Sequence, residues 1–479
     1  MTDTTPNAPF RKIPSLDSLL REDAVRGLIE EFGRDVVVAE GRAALEETRA
    51  MIASAKAGGS PAAAAGGVSG ADISPDSLVT RLRVRLEEKF TPSLSPAVNA
   101  TGIIMHSGLG RAVLSEAARE AIAAVSLGYS TLALDLESGK RVSRDRHVEG
   151  LLRELTGAES ATVANNNAAA TVLVLNTLAR GKEVVVSRGQ LVEIGGSFRM
   201  PDVMTTSGAV LREVGTTNKT HLRDYESAIS ESTGAILRVH HSNYRIVGFA
   251  EEPGIEELAA LGRSRGVPVV DDLGSGALVD LATYGLASEP LVRTSVQAGA
   301  DVVCFSGDKL IGGPQCGIIV GKSAWIQKIK KNPLARAFRC GKLSLAALEA
   351  TLKLFLAPEK LTERHPIYRM LSLTPDDLGR RAKKLAASLR KSLSLDVAIS
   401  VEDGESQVGS GAVPVETLPS KVLAVQAPGI SAEDLARKLR LLTPPIFARI
   451  HKDAVLFDFR TIQPTEDAVV ERALCEVLK

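Results

Sequence analysis

Between about Pro96 and Ala357 the chain alternates repeatedly between short apolar runs and segments of helical period. That alternation limits its possible folds more than any other feature of the 479 residues. The strand-like runs are Ser160–Ala164, Glu183–Ser187, Val210–Glu213, Gly234–His240, Val267–Asp271 and Asp301–Phe305. They are short, mostly rich in Val, and flanked by polar or glycine residues, as strands buried on both faces are. Helical periods lie between them at Ala168–Leu178 and Ile255–Arg263, with His147–Thr156 just before the first. Such a chain buries its apolar faces best as a mainly parallel sheet with helices on both sides, an α/β architecture. Ligands of such sheets sit beyond the carboxyl ends of the strands. The residues at those ends are therefore the first candidates for chemistry.

Two strand ends carry suitable residues. The run Asp301–Phe305 leads into Ser306-Gly307-Asp308-Lys309 and then Leu310-Ile311-Gly312-Gly313-Pro314. A hydroxyl at Ser306 can bond a phosphate while the Lys309 amine, three residues on, reaches an aldehyde carbon. The glycines let backbone crowd close to a ligand. Taken alone, a glycine turn with an exposed lysine explains this stretch as well. The second end is Gly266–Gly276, a buried strand closing on Asp271-Asp272 before glycines. Pyridoxal 5'-phosphate (PLP) needs both features: a lysine for the Schiff base and a carboxylate to keep its ring nitrogen protonated. Lys309 is read as the first and Asp272 as the second, with Asp271 the lesser alternative. An acidic strand end that only caps a turn is the plain competing account, but the two stretches together, in this order, favour a PLP enzyme.

Other stretches join this constellation. Asn165-Asn166-Asn167 follows a strand and opens a helix, so Asn166 and Asn167 sit where N–H groups and the helix dipole favour phosphate; asparagine capping is compatible with that role. Arg111 lies in the glycine-flanked turn Ser107–Arg111. Arg336 and Arg339 are three apart and share a face if their segment is helical. Arginine forks suit phosphate-like anions, although surface ion pairs are the ordinary use of any one of them. His240 reads as a satisfied core histidine, and Arg460 as a surface ion pair.

The flanks are of different character. Residues 1–70 read as a small helical domain, with leucines at helical spacing from Leu16 to Ile29, a second helix near 36–55, and a Gly/Ala/Ser-rich linker at Gly58–Gly70. Residues 71–357 form the large α/β domain and 358–479 a smaller α+β domain. Arg81, Arg83, Arg85 and Lys89 on the helix Ser77–Phe90 make a local positive run, read as a solvated face rather than a nucleic-acid patch. The net charge of +1 argues against overall basic attraction to nucleic acid. The four cysteines have no metal-type or framework spacing, so no metal site is assigned. No apolar run approaches a membrane span and no leader is recognisable, so a cytoplasmic protein is expected.

Several motifs resemble those of one family, bacterial selenocysteine synthase, the L-seryl-tRNA(Sec) selenium transferases. They are Asn99–Gly102, Leu109–Arg111, Asn165–Ala170, Ser187–Gly189, Val192–Gly196, Val214–Asn218, Asp272–Gly276 and Phe305–Lys309, with Ile13-Pro14-Ser15 near the start and Thr443–Ile446 near the end. The resemblance implies a fold-type-I PLP transferase with a tRNA-binding N-terminal domain. It implies that L-seryl-tRNA(Sec) is converted to L-selenocysteinyl-tRNA(Sec), with selenophosphate as selenium donor, through a PLP-bound aminoacrylyl intermediate. It implies Lys309 as the PLP lysine, Asp308 as a catalytic neighbour, and Arg111, Arg336 and Arg339 as ligands of selenophosphate or phosphate. It also implies a homodecamer, a pentamer of dimers whose subunits share active sites. Ser107-Gly108 stands where the family usually has Thr-Asn. The competing readings are a PLP-dependent lyase or aldolase-like enzyme on a small free amino acid, and a tRNA-binding module with a dead cofactor site.

Overall fold

The computed structural model describes residues 13–56, 74–195, 198–287, 289–409, 411–413 and 416–478. The Gly58–Gly70 linker lies outside the described residues, as do Gly196 and the first twelve positions. The chain divides into two compact units, residues 1–96 and 97–479.

The first unit is helical. Its elements are Leu16–Leu19, Asp23–Phe32, Arg34–Lys56 and Pro75–Phe90. Ser15 caps the first by accepting from the Ser18 N–H. Ser74 caps the last, with Pro75 at the first helical position, where its missing N–H costs nothing. Leu19, Val25, Leu28, Val37, Leu45, Leu78, Leu82 and Leu86 form the core. Residues 75–90, assigned from sequence to the large domain, thus belong here, because Leu78, Leu82 and Leu86 have their apolar partners in this unit. Their basic run is spent internally: Arg85 reaches Glu40 at 2.8 Å and Glu47 at 2.6 Å, and Lys89 reaches Glu40 at 2.6 Å.

In the second unit a seven-stranded sheet has the order 160–164, 317–321, 302–306, 269–274, 233–239, 183–187, 210–214. The pairs among the last five are parallel. Gly317–Gly321 runs antiparallel to both its neighbours. The strand/helix alternation does not announce it. Only residues 307–316 separate it from the preceding strand, too few for a crossover helix, so it turns straight back. Two apolar clusters pack the sheet and its helices.

A five-stranded sheet orders Val98–Ala100, Ile446–His451, Ala454–Asp458, Thr417–Gln426 and Ala398–Gln407. Its core draws on the helices Pro375–Ser392, Ala432–Arg440 and Asp467–Leu478. Val98–Ala100, placed by sequence in the large domain, pairs here, parallel to Ile446–His451. Arg460 is no surface ion pair. It is 2% exposed and donates to the carbonyls of Met370, Leu373 and Pro419, tying this sheet to the preceding helical segment. No helix among the described residues is long and apolar enough to cross a membrane.

Candidate functional site

The strands Val269–Gly274 and Val302–Ser306 are adjacent and parallel, so their carboxyl ends open at one edge of the sheet. Beside them the helix Asn167–Ala179 begins, with Asn166 capping it by accepting from the Ala169 N–H at 2.8 Å. A cavity of about 260 Å³ lies here. Arg111, Asn166, Asn167, Asp272, Ser306, Asp308 and Lys309 all line it. Seven of the nine candidate residues, drawn from four segments of the sequence, thus meet at one place. A neighbouring cavity of about 700 Å³ shares Arg111 and Lys309 with it.

Lys309 is 7% exposed. Burial lowers its amine's pKa, and Asp272 works in the opposite direction. Its turn is built by glycine: a Cβ at Gly307 would strike Cys316 Sγ, and one at Gly312, whose φ is +64°, would strike the ring of His365. Gly274 and Gly411 make room at the amine itself. A Cβ there would stand 3.5 Å and 2.7 Å from Lys309 Nζ.

Asp272 is 5% exposed. It accepts from Asn167 Nδ2 at 2.9 Å and from Thr171 Oγ1 at 3.0 Å, one bond to each carboxylate oxygen. Burial raises its pKa, while these two bonds and the charge of Lys309 pull it back. Asp271 points elsewhere, to a 3.0 Å ion pair with Arg238. Asp308 binds Arg111 at 2.9 Å. Arg111 has φ 65°, a left-handed conformation that few side-chain-bearing residues adopt, next to Gly110 at φ 89°.

Arg336 and Arg339 line neither cavity. Arg336 lies on the short helix Pro333–Ala337, and both residues are exposed. They stand near Arg144, and with Arg141 they help lower its pKa, after burial as the main cause. Cys340 is a packed thiol: its Sγ lies 3.1 Å from the Ala164 carbonyl, and burial pushes it up to about 11.

Pyridoxal phosphate can be tested against this donor set. Asn167 Oδ1 is buried without a hydrogen-bond partner among the described residues, on the cavity wall. A held carboxylate, a buried amine with space around Nζ, a serine at a strand end and a helix N-terminus surround the same volume. The residues present fit the group.

Sequence reasoning missed Thr171, although it lies four residues after Asn167 and hence on the same helix face. Ser242 lies in the polar strand-end loop His240–Tyr244, but nothing local marks it, or Gly411, as lying beside Lys309 Nζ. His240 is not the satisfied core histidine expected: its Nδ1 finds no hydrogen-bond partner among the described residues, and it lines the cavity.

The family model described as L-seryl-tRNA selenium transferase matches residues 97–463, and one described as selenocysteine synthase N terminal matches residues 10–49. The L-seryl-tRNA(Sec) selenium transferase of Alkaliphilus metalliredigens is 47% identical, over 98% of both chains. That of Geobacter sulfurreducens is 46% identical, over 98% of this chain and 99% of its own. That of Nitratidesulfovibrio vulgaris is 51% identical over 82% of this chain and 86% of its own. Among solved structures, D-glucosaminate-6-phosphate ammonia-lyase superposes with a TM-score of 0.56 at 21% identity, covering 81% of this chain and 99% of its own. That last likeness speaks to the fold. With most of its length matched, and the site at the strand ends of the matched region, the chain belongs to the L-seryl-tRNA selenium transferase family.

Proposed function

We infer that this protein converts L-seryl-tRNA(Sec) to L-selenocysteinyl-tRNA(Sec) using pyridoxal 5'-phosphate held at Lys309. One observation carries the reading: in a chain of this family, Lys309 and an Asp272 carboxylate gripped by Asn167 and Thr171 line the same cavity. When bound, the cofactor draws electrons from the α-carbon of an attached amino acid and makes its hydrogen acidic. The protein's own groups do the rest. Asp272 keeps the ring nitrogen protonated, and its two hydrogen bonds fix the direction of its carboxylate. Ser306, Asn166 and Asn167 at the helix start hold the phosphate. Lys309 is the base for the α-hydrogen of the seryl group, its pKa lowered by burial toward the working range. Asp308, bound to Arg111, holds that guanidinium toward the cavity.

The donor in this reading is selenophosphate, bound by Arg111 together with Arg336 and Arg339. Because the last two do not line the Lys309 cavity of their own chain, the reading has subunits share each site. It has the protein work as a homodecamer, a pentamer of dimers, in the cytoplasm, with the N-terminal helical domain binding the tRNA. A lyase on a small free amino acid is not favoured, since residues 10–49 match a selenocysteine synthase N-terminal model. Purified protein given seryl-tRNA(Sec) and selenophosphate should release selenocysteinyl-tRNA. Turnover of free amino acids with no turnover of the charged tRNA would contradict the assignment.

A further inference from the structure

His240 is left unused by that account, and its surroundings are unusual. It follows the strand Thr233–Val239, and its N–H donates to the Asp272 carbonyl at 3.0 Å, so it sits at the same strand-end level as the site. His240 lines the Lys309 cavity and also a second cavity of about 380 Å³ that is lined by Glu289. Nδ1 of His240 stands 3.8 Å from Glu289 Oε2, with the two side chains 16% and 4% exposed. Neither atom has a hydrogen-bond partner among the described residues. The other Glu289 oxygen accepts from the Val413 N–H at 2.6 Å, which aims the carboxylate at the ring. A buried carboxylate facing one ring nitrogen, with the other nitrogen free for a substrate, is the arrangement that fixes a histidine tautomer and stabilises its cation.

The reaction needs a proton carrier there. Loss of the seryl hydroxyl breaks a C–O bond, and the oxygen leaves as hydroxide unless it is protonated. Arg111 is paired with Asp308. Asp272 is committed to its two donors, and Lys309 takes the α-hydrogen. His240 is the remaining titratable side chain on that wall without another assigned role, and it has a carboxylate facing its Nδ1.

Resting on the functional reading above, we propose that His240, positioned through Nδ1 by Glu289, is the acid that protonates the departing β-hydroxyl. The α-hydrogen goes to Lys309 Nζ as a proton, and the C–H pair becomes the new Cα=Cβ bond. The C–O pair leaves on oxygen, which takes the proton from His240 Nε2 and departs as water. Neutral His240, its Nδ1–H still facing Glu289, regains a proton on Nε2 from solvent once the water has departed.

The charges facing His240 set its protonation. Burial lowers its pKa most strongly; Glu289 raises it, Arg238 lowers it, Asp271 raises it and His241 lowers it. Arg245, Glu251 and Glu252 line the second cavity, and Arg111, Asp308, Lys309 and Asp272 the first. Removing the Glu289 charge therefore lowers the pKa of His240.

The test uses the full-length holoprotein with seryl-tRNA and compares wild type, His240→Asn and Glu289→Gln. His240→Asn should keep the visible absorption of the bound cofactor and should still exchange the seryl α-hydrogen with solvent deuterium. It should lose water elimination by roughly 10²–10³-fold. Glu289→Gln should move the basic limb of the elimination profile to lower pH by about one unit or more. Wild-type elimination in His240→Asn, exchange lost in parallel with elimination, or an unmoved basic limb in Glu289→Gln would each overturn the proposal. If wild type itself neither exchanged nor eliminated, the functional reading would fall with it.

Discussion

At the scale of single residues the site depends on what is absent beside Lys309. Gly411 has φ +72°, and a Cβ there would stand 2.7 Å from Nζ and 3.3 Å from Cε. The nearest atom is the end of a flexible side chain, so relief comes from displacing the amine. Gly411→Ala should weaken cofactor binding about tenfold, ~1.4 kcal/mol, in an absorbance titration of the stripped protein. Wild-type affinity would show that the amine has room to spare. The lysine and carboxylate were legible in the sequence because each follows an apolar strand within a few residues. Gly411, Ser242 and Glu289 were not, since their part in the site comes from contacts across more than forty positions of chain. The positions of Arg336 and Arg339 on a shared face were also readable. That they stand by Arg144, outside the Lys309 cavity, was not.

At the scale of elements, the turn bearing Lys309 rests on the helix Pro366–Ser372 through the residue before it. His365 is fully buried, and its Nε2 donates to the Ile311 carbonyl at 2.8 Å. Its ring meets Phe355 and Tyr368 edge-on, at 5.6 Å and 4.9 Å between centroids. Burial lowers its pKa to about 4, against roughly 6.5 in an unfolded chain. Between those values the unfolded chain binds the proton and the folded one does not. This contribution is therefore present above pH 6.5 and is lost as pH falls toward about 4, amounting to at most about 3 kcal/mol. Urea unfolding from pH 7 to pH 4.5 should show that slope, flattened in His365→Gln; an equal slope in both proteins would contradict it. The parallel strands were legible because burial on both faces leaves continuous apolar runs. Gly317–Gly321 has the same composition, and only the shortness of the connection before it marks its reversal.

At the scale of the whole molecule the chain forms two compact units. The N-terminal unit closes its own core and turns Arg85 and Lys89 onto Glu40, so its positive run is not a ready-made RNA surface. The described residues of the cofactor site all lie beyond residue 96. A protein lacking residues 1–96 should keep the cofactor's visible absorption and lose at least about tenfold in affinity for seryl-tRNA(Sec) by gel shift. Unchanged affinity would remove the tRNA-binding role from that unit. From sequence the first unit ends at residue 70, whereas the compact unit runs to residue 96 and takes in the helix Pro75–Phe90. Its three buried leucines are visible in the sequence; which core they complete is not.

The central claim is a covalent one. The holoprotein should be reduced with borohydride, digested and mapped by mass spectrometry. A pyridoxyl group on the peptide carrying Lys309, in near-stoichiometric yield and absent in Lys309→Ala, is the predicted result. A pyridoxyl group on any other lysine, or none on a protein that still turns over seryl-tRNA, would contradict the account.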